Sequence, residues 1–241
     1  AYYGLKTAPA VWCSKINAAL EGLDFISVYI DDVLIFSKSF EEHCKHIELV
    51  TERLAEFGFA VAPRKCKWFR SRSRYLGFEV GKDGVGTSEH IVQAVLEYPV
   101  PKTTKEVKRF LGLAGFYRRF IKSFADLMSP LHALLKAEVK FEWSVSCQMA
   151  FDELKTRLTT APVLAYPDPS REWRLYSDAS DLGAGGVLTQ PYSRRELATE
   201  AGLEISEENA AKPDVERVVA YASRTFLPAQ VAYTPTEKEI C

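Results

Sequence analysis

The chain has 241 residues, 47% of them hydrophobic, and a formal net charge of −1, values that suit two modest globular domains or one large one. No apolar stretch approaches the roughly eighteen residues of a membrane span, and no charged-then-apolar leader opens the chain. Five cysteines (Cys13, Cys44, Cys66, Cys147 and Cys241) lack any C-x-x-C spacing, which argues against a disulfide framework or a zinc cage. The expectation is an intracellular protein with free thiols, neither secreted nor membrane-bound. The near-neutral total hides segregation of charge. Arg64, Lys65, Lys67, Arg70, Arg72 and Arg74 form a run without acids, and Lys102, Lys105, Lys108, Arg109, Arg118, Arg119 and Lys122 form a second cluster opposed by Glu106 alone. The compensating acids gather late, between Glu196 and Glu216. Local basic surfaces of this kind can neutralise phosphates.

In chain order, Val11, Trp12, Ile16 and Leu20 recur at helical spacing between Ala8 and Leu20, and Gly22 closes that helix. Phe25 to Ile30 and Val33 to Phe36 are two apolar runs separated only by Asp31 and Asp32, which predicts a hairpin with two carboxylates at its tip. Adjacent like charges repel and each resists desolvation, so the pair points to a cation held between them. Hard divalent ions such as magnesium take oxygen ligands of this type in phosphoryl transfer. A solvated Asp-Asp turn is the simpler alternative. Cys44, Ile47, Val50, Leu54 and Phe57 mark an amphipathic helix ending at Gly58. Extended pieces at 59–62 and 75–80 complete an α+β pattern, a sheet with helices on one face.

Pro99 and Pro101 mark a break. Thr103 to Glu106 is a capping-box start, and Val107, Phe110, Leu111, Ala114, Tyr117 and Ile121 are the buried stripe of a long helix with a basic outer face. A helical pair is expected over 125–160, interrupted near Lys140 to Trp143. Pro162, Pro167 and Pro169 suggest a linker, with strands at Trp173–Ser177, Gly185–Thr189 and Val218–Ala222. Arg194 to Glu216 is acidic and poor in large apolar groups, and is read as an exposed insertion. Thr234-Pro235-Thr236-Glu237 starts a final helix. The start at Ala1 and the stop at Cys241, within that helix, give the reading of a fragment.

These residues together resemble the reverse transcriptase and ribonuclease H region of a gypsy-type long-terminal-repeat retrotransposon Pol polyprotein. Tyr3-Gly4-Leu5-Lys6-Thr7-Ala8-Pro9 looks like the family's motif B and Tyr29-Ile30-Asp31-Asp32 like its Y-x-D-D metal site. Gly58 to Cys66 is similar to motif D, Tyr75-Leu76-Gly77-Phe78 to the primer grip, and Phe110 to Ile121 to the thumb segment. Tyr176-Ser177-Asp178-Ala179-Ser180, Gly183 to Leu188 and Thr236-Glu237-Lys238-Glu239-Ile240 resemble the start of the ribonuclease H fold.

The resemblance implies an α+β chain with a partial polymerase palm, a helical thumb, a mixed-sheet connection and a truncated ribonuclease H-like α/β domain, divided as palm without fingers over 1–98, thumb and helical connection over 99–160, and ribonuclease H-like domain over 161–241. It implies two magnesium ions per active site, with manganese as a substitute. Asp31 and Asp32 would be the polymerase ligands, with a third Asp upstream, and Asp178 and Glu239 the first two ribonuclease ligands. Tyr3 and Gly4 would line the incoming nucleotide and template, Tyr29 the primer end, Lys65 the triphosphate, and Leu76 and Gly77 the primer strand. The implied partners are an RNA or DNA template, a primer, an RNA–DNA hybrid, deoxynucleoside triphosphates and the rest of the polyprotein, including the remaining ribonuclease H and an integrase. A cytoplasmic particle or the nucleus is the implied location. By itself, the 241-residue piece is expected neither to extend a primer nor to degrade a hybrid. Two other readings are a non-catalytic nucleic-acid-binding remnant and, less economically, a palm-type nucleotidyl cyclase. His43 and His46 are read as surface residues beside a core Cys44 rather than as a metal site.

Overall fold

Helix α1 (Ala8–Ala19) begins with Pro9 in its first turn, where the missing N–H leaves no bond unmade. The computed structural model describes residues 6–137 and 139–240, excepting the side chains of residues 235, 239 and 240. The chain divides after Tyr75 into two compact units. In the first unit α1 is followed by strands β1 (Ile26–Tyr29) and β2 (Asp32–Ile35), an antiparallel pair running from Ile26 opposite Ile35 to Tyr29 opposite Asp32. Helix α2 (Phe40–Glu56) starts at Ser39, whose hydroxyl accepts the Glu42 N–H, and is closed by Gly58 at φ 76°. A 3-10 turn (Pro63–Lys65) and strand β3 (Arg72–Tyr75) complete the unit.

Ile16, Ala19 and Leu20 from the first helical segment bury against Val50 and Leu54 of α2, and one face of the hairpin, Ile26, Val28, Val33 and Ile35, packs on them. The stripe of α2 differs from the expected one. His43, Ile47, Val50 and Leu54 share one face, whereas Cys44 lies off it and is exposed. Phe57 stands beyond the last helical turn and is also exposed. Residues 59–62 are not a strand, because no strand among the described residues pairs with them. Nor is 75–80 a continuous extended piece. Leu76 (φ 49°) and Gly77 (φ 83°) both take left-handed backbone, so the chain turns between Tyr75 and Phe78.

The second unit opens with the antiparallel pair β4 (Phe78–Gly81) and β5 (Gly84–Thr87), followed by α3 (Glu89–Leu96). Gly81 pairs with Gly84, so Lys82 and Asp83 form the two-residue loop of this hairpin. Helix α4 (Thr104–Phe116) is capped by Thr103, whose Oγ1 accepts the Glu106 N–H at 3.3 Å, while the Glu106 carboxylate binds the Lys102 N–H at 2.7 Å. It ends sooner than expected, since Arg118–Phe120 winds into a tighter 3-10 turn. The expected buried stripe is nevertheless intact through Tyr117 and Ile121. Helices α5 (Phe124–Ala133) and α6 (Val145–Thr159) pack with α4, joining Phe110, Met128, Leu131, Phe151 and Leu154 in one core.

Strands β6 (Arg174–Ala179) and β7 (Gly183–Tyr192) then run antiparallel. Helices α7 (Arg194–Ala201) and α8 (Glu207–Ala210) occupy the acidic region, and β8 (Val215–Thr225) returns beside β7, giving the order β6-β7-β8. Glu216 therefore belongs to a strand and not to the insertion. Short helices α9 (Pro228–Val231) and α10 (Pro235–Ile240) end the unit. The Pro162–Pro169 stretch is not a solvated linker. Leu164 and Ala165 are buried, Leu164 exchanges both backbone bonds with Val85 at 2.8 Å, and the Ala165 N–H reaches the Val218 carbonyl at 2.8 Å. The segment thereby ties β5 to β8, and buried backbone requires such partners.

Candidate active site

The pairing of Tyr29 with Asp32 leaves Ile30 and Asp31 as a two-residue hairpin loop. Ile30 sits at φ 57°, whereas Asp31 stays at negative φ. Such a turn favours glycine at its first central position. A β-branched residue there costs about 1–2 kcal/mol. Backbone strain of this kind persists where surrounding contacts fix it. One such contact is visible, since the indole Nε1 of Trp12 on α1 donates to the Ile30 carbonyl at 2.9 Å. Helical spacing groups Trp12 with Ile16 and Leu20, yet Trp12 is half-exposed and braces the loop.

The turn leaves Asp31 and Asp32 both exposed at the border of a groove of about 550 Å³ that Trp12, Lys65, Arg70 and Arg74 also line. Neither carboxylate makes an ion pair or side-chain hydrogen bond among the described residues. Two unpartnered hard oxygen donors on a braced turn suit a divalent cation better than a purely structural role. The described residues hold no group of three acidic, histidine or cysteine side chains that would complete a ligand set. Tyr29, opposite Asp32, is 55% exposed. Lys65 is exposed within the same groove wall. Tyr3 and Gly4 lie outside the described residues.

In the second unit Leu76 and Gly77 form a tight turn that α4 holds. The Tyr117 hydroxyl donates to the Gly77 carbonyl, and a Cβ at Gly77 would meet the Phe116 ring at 3.0 Å. Phe78 stacks on Phe116 with centroids 4.9 Å apart. The outer face of α4 carries Lys105, Lys108 and Arg109, all exposed and without ion pairs among the described residues, together with Gly112 and Gly115, around whose α-carbons a Cβ would meet nothing.

Asp178 lies on β6 opposite Gly185, exposed and without a side-chain partner among the described residues. The backbone of Glu239 is helical in α10, which packs against β6. Its side chain lies outside what is described. Thr234 caps α10 reciprocally with Glu237, whose carboxyl the Thr234 N–H and hydroxyl hold below the usual range. Beside Asp178, the Tyr176 hydroxyl, Arg174 and Thr189 all bond Glu216 and lower its pKa, fastening three strands together. His43 and His46 are half-buried, both with Nδ1 on the Ser37 hydroxyl, at 3.0 and 2.8 Å. The expected pattern of surface histidines beside a core thiol is thus inverted, because His43 occupies the buried stripe of α2.

Residues 2–80 match the sequence family described as reverse transcriptase (RNA-dependent DNA polymerase), and residues 143–201 match the RNase H-like domain found in reverse transcriptase. The chain is thus part of a reverse transcriptase joined to an RNase H-like region. It belongs with the Pol polyproteins of retrotransposons: it is 36% identical over 191 residues to the retrovirus-related Pol polyprotein from transposon 297 of Drosophila melanogaster, covering 78% of this chain and 18% of that relative. It is also 31% identical over 240 residues to the transposon Tf2-3 polyprotein of Schizosaccharomyces pombe, covering 99% of this chain and 17% of the relative. The chain therefore spans less than a fifth of the length of these relatives. Among solved structures, the foamy viral protease-reverse transcriptase in complex with dsDNA is similar at TM-score 0.79 and 24% identity, over 98% of this chain and 46% of that one. The same viral protein in complex with an RNA/DNA hybrid gives TM-score 0.78 and 25% identity, over 99% of this chain and 30% of that one.

Proposed function

We propose that the complete protein copies retroelement RNA into DNA and degrades the RNA of the resulting hybrid, and that it is a gypsy-type element's Pol product. The observation that carries this reading is the unpartnered Asp31–Asp32 pair on a strained, braced turn beside a groove with basic residues on its wall. Asp31 and Asp32 hold magnesium, with a third acid supplied from outside the described residues. Bound there, the metal provides Lewis-acid chemistry to the primer 3′-hydroxyl and the triphosphate. Tyr29 packs beneath the primer end, Lys65 faces the triphosphate, and Leu76 and Gly77 steer the primer strand. The exposed cations of α4 follow the duplex backbone, and its two open glycines allow close approach. Contacts of that type are insensitive to sequence and sensitive to salt. Asp178 and Glu239 begin the ribonuclease site. The palm, thumb and ribonuclease H boundaries fall near residues 98 and 160, and the work is done in a cytoplasmic particle or the nucleus.

The test is magnesium-dependent primer extension on an RNA template by a longer polyprotein product that contains this chain. Asp31→Asn and Asp32→Asn should each lower extension at least about a hundredfold, since several kcal/mol of transition-state stabilisation depend on the metal. Binding of primer–template should persist. Undiminished extension in both variants would remove the acid pair from the mechanism. Binding without extension in the unsubstituted protein would favour a non-catalytic remnant.

A further inference from the structure

Residues 64–74 form an exposed strip in which Arg64, Lys65, Lys67, Arg70, Arg72 and Arg74 occur without an acid. The strip also carries Trp68 and Phe69, both exposed. Phe69 is 52% exposed and held at φ 53°, a conformation that costs a bulky residue about 1–3 kcal/mol. The strained backbone therefore displays an aromatic ring that the core of this unit does not use. The ring is positioned by Phe40, with centroids 5.1 Å apart, and by the edge of His43 at 5.6 Å. Phe40 is itself 63% exposed.

Glu41 and Glu42 follow Phe40 in the first turn of α2, and the Glu42 carboxylate is engaged by the Lys38 N–H at 2.6 Å. Lys67, Arg70 and Arg74 have no ion pair among the described residues, and with Trp68 they line the groove that reaches Asp31 and Asp32. Rings offered in the open beside Lys67, Arg70 and Arg74 match a single-stranded nucleic acid, whose bases have free faces for stacking and whose phosphates meet positive charge. A duplex offers its phosphates but not its base faces. An apolar protein partner would gain nothing from so many cations.

We infer that the strip from Arg64 to Arg74, with Phe40 and Phe69 as the stacking platform, is a sequence-tolerant binding surface for single-stranded RNA or DNA carried by the first unit. This goes beyond the polymerase reading and does not depend on catalysis.

The experiment is fluorescence anisotropy of the longer polyprotein product that contains this chain with a labelled single strand of about 16 nucleotides and, in parallel, a blunt duplex, each across a salt series. Phe69→Ala should weaken single-strand binding roughly five- to 150-fold, the loss of one stacked base, and leave duplex binding unchanged. The triple variant Lys67→Gln, Arg70→Gln, Arg74→Gln should reduce the slope of log affinity against log salt for the single strand by about 2. Phe69→Tyr should retain the wild-type affinity and so separates stacking from folding. Equal effects of Phe69→Ala on single strand and duplex, or no effect of either variant, would overturn the assignment. Loss of magnesium-dependent extension in Asp31→Asn with the single-strand profile intact would leave it standing, so the two proposals fail separately.

Discussion

The indole N–H of Trp12 reaches 2.9 Å to the carbonyl oxygen of Ile30, across eighteen residues of sequence, and ties α1 to the tip of the acid-bearing hairpin. Removing that donor while keeping an aromatic ring isolates the bond. Trp12→Phe should lower the stability of the first unit by about 0.5–1.5 kcal/mol, read as a shift in the urea midpoint at unchanged slope. The substitution should also loosen the loop, raising amide exchange at Asp31 and Asp32 more than at Val28.

Ile30 offers the opposite sign. Its left-handed backbone is costly for a β-branched residue, and its side chain is 45% exposed, so little packing is lost on truncation. Ile30→Gly should leave stability unchanged or raise it by up to about 1 kcal/mol, relief of strain slightly exceeding the entropy cost of glycine. Strong destabilisation in thermal unfolding would mean that side-chain packing, not the turn, determines this position.

Gly77 faces two penalties at once. Its φ of 83° disfavours any side chain, and a Cβ would press on Phe116 at 3.0 Å. Gly77→Ala should cost about 1–3 kcal/mol. In a Phe116→Ala background the contact disappears and only the backbone penalty remains, so a double-mutant cycle should give a coupling of the order of 1 kcal/mol. Additive costs would show that the ring yields freely.

The insertion helix α7 is fastened by Arg171, whose guanidinium bonds Glu196 at 3.0 Å and lies 4.1 Å from the centre of the Tyr192 ring. Arg171 together with the Ser193 N–H and hydroxyl holds the Glu196 carboxyl down to about 2, below its ordinary 4.5. Because the folded value is the lower one, the stabilisation is present above pH 4.5 and lost as pH falls toward 2. Glu196→Gln should therefore destabilise at neutral pH, by no more than about 1 kcal/mol for so exposed a pair. The difference from wild type should vanish near pH 2. A pH-independent difference in the denaturation midpoint would point to lost helix capping instead.

Gln190 is fully buried, and its amide satisfies both backbone groups of Asp168, accepting from the N–H at 2.9 Å and donating to the carbonyl at 2.7 Å. Gln190→Leu keeps the volume but strands two polar groups. A loss of about 2–4 kcal/mol is expected by chemical denaturation. A loss below about 0.5 kcal/mol would mean that water reaches Asp168.

Local pattern was enough for much of this protein. The apolar runs around Asp31 and Asp32 specified a hairpin, and the stripe from Val107 to Ile121 specified the buried face of α4, because strand alternation and helix periodicity are properties of neighbouring residues. The capping residues Thr103 and Thr234 were legible for the same reason. What the pattern could not give were relations between distant segments. Trp12 as a brace, His43 rather than Cys44 on the buried face, and Leu164 as a bonded bridge between β5 and β8 all depend on which backbone groups and surfaces meet in the folded chain. Local sequence identified the acid pair and its hairpin. Tertiary packing decided which residues hold that turn in its strained form, since only contacts across the fold can offset the cost of a left-handed isoleucine.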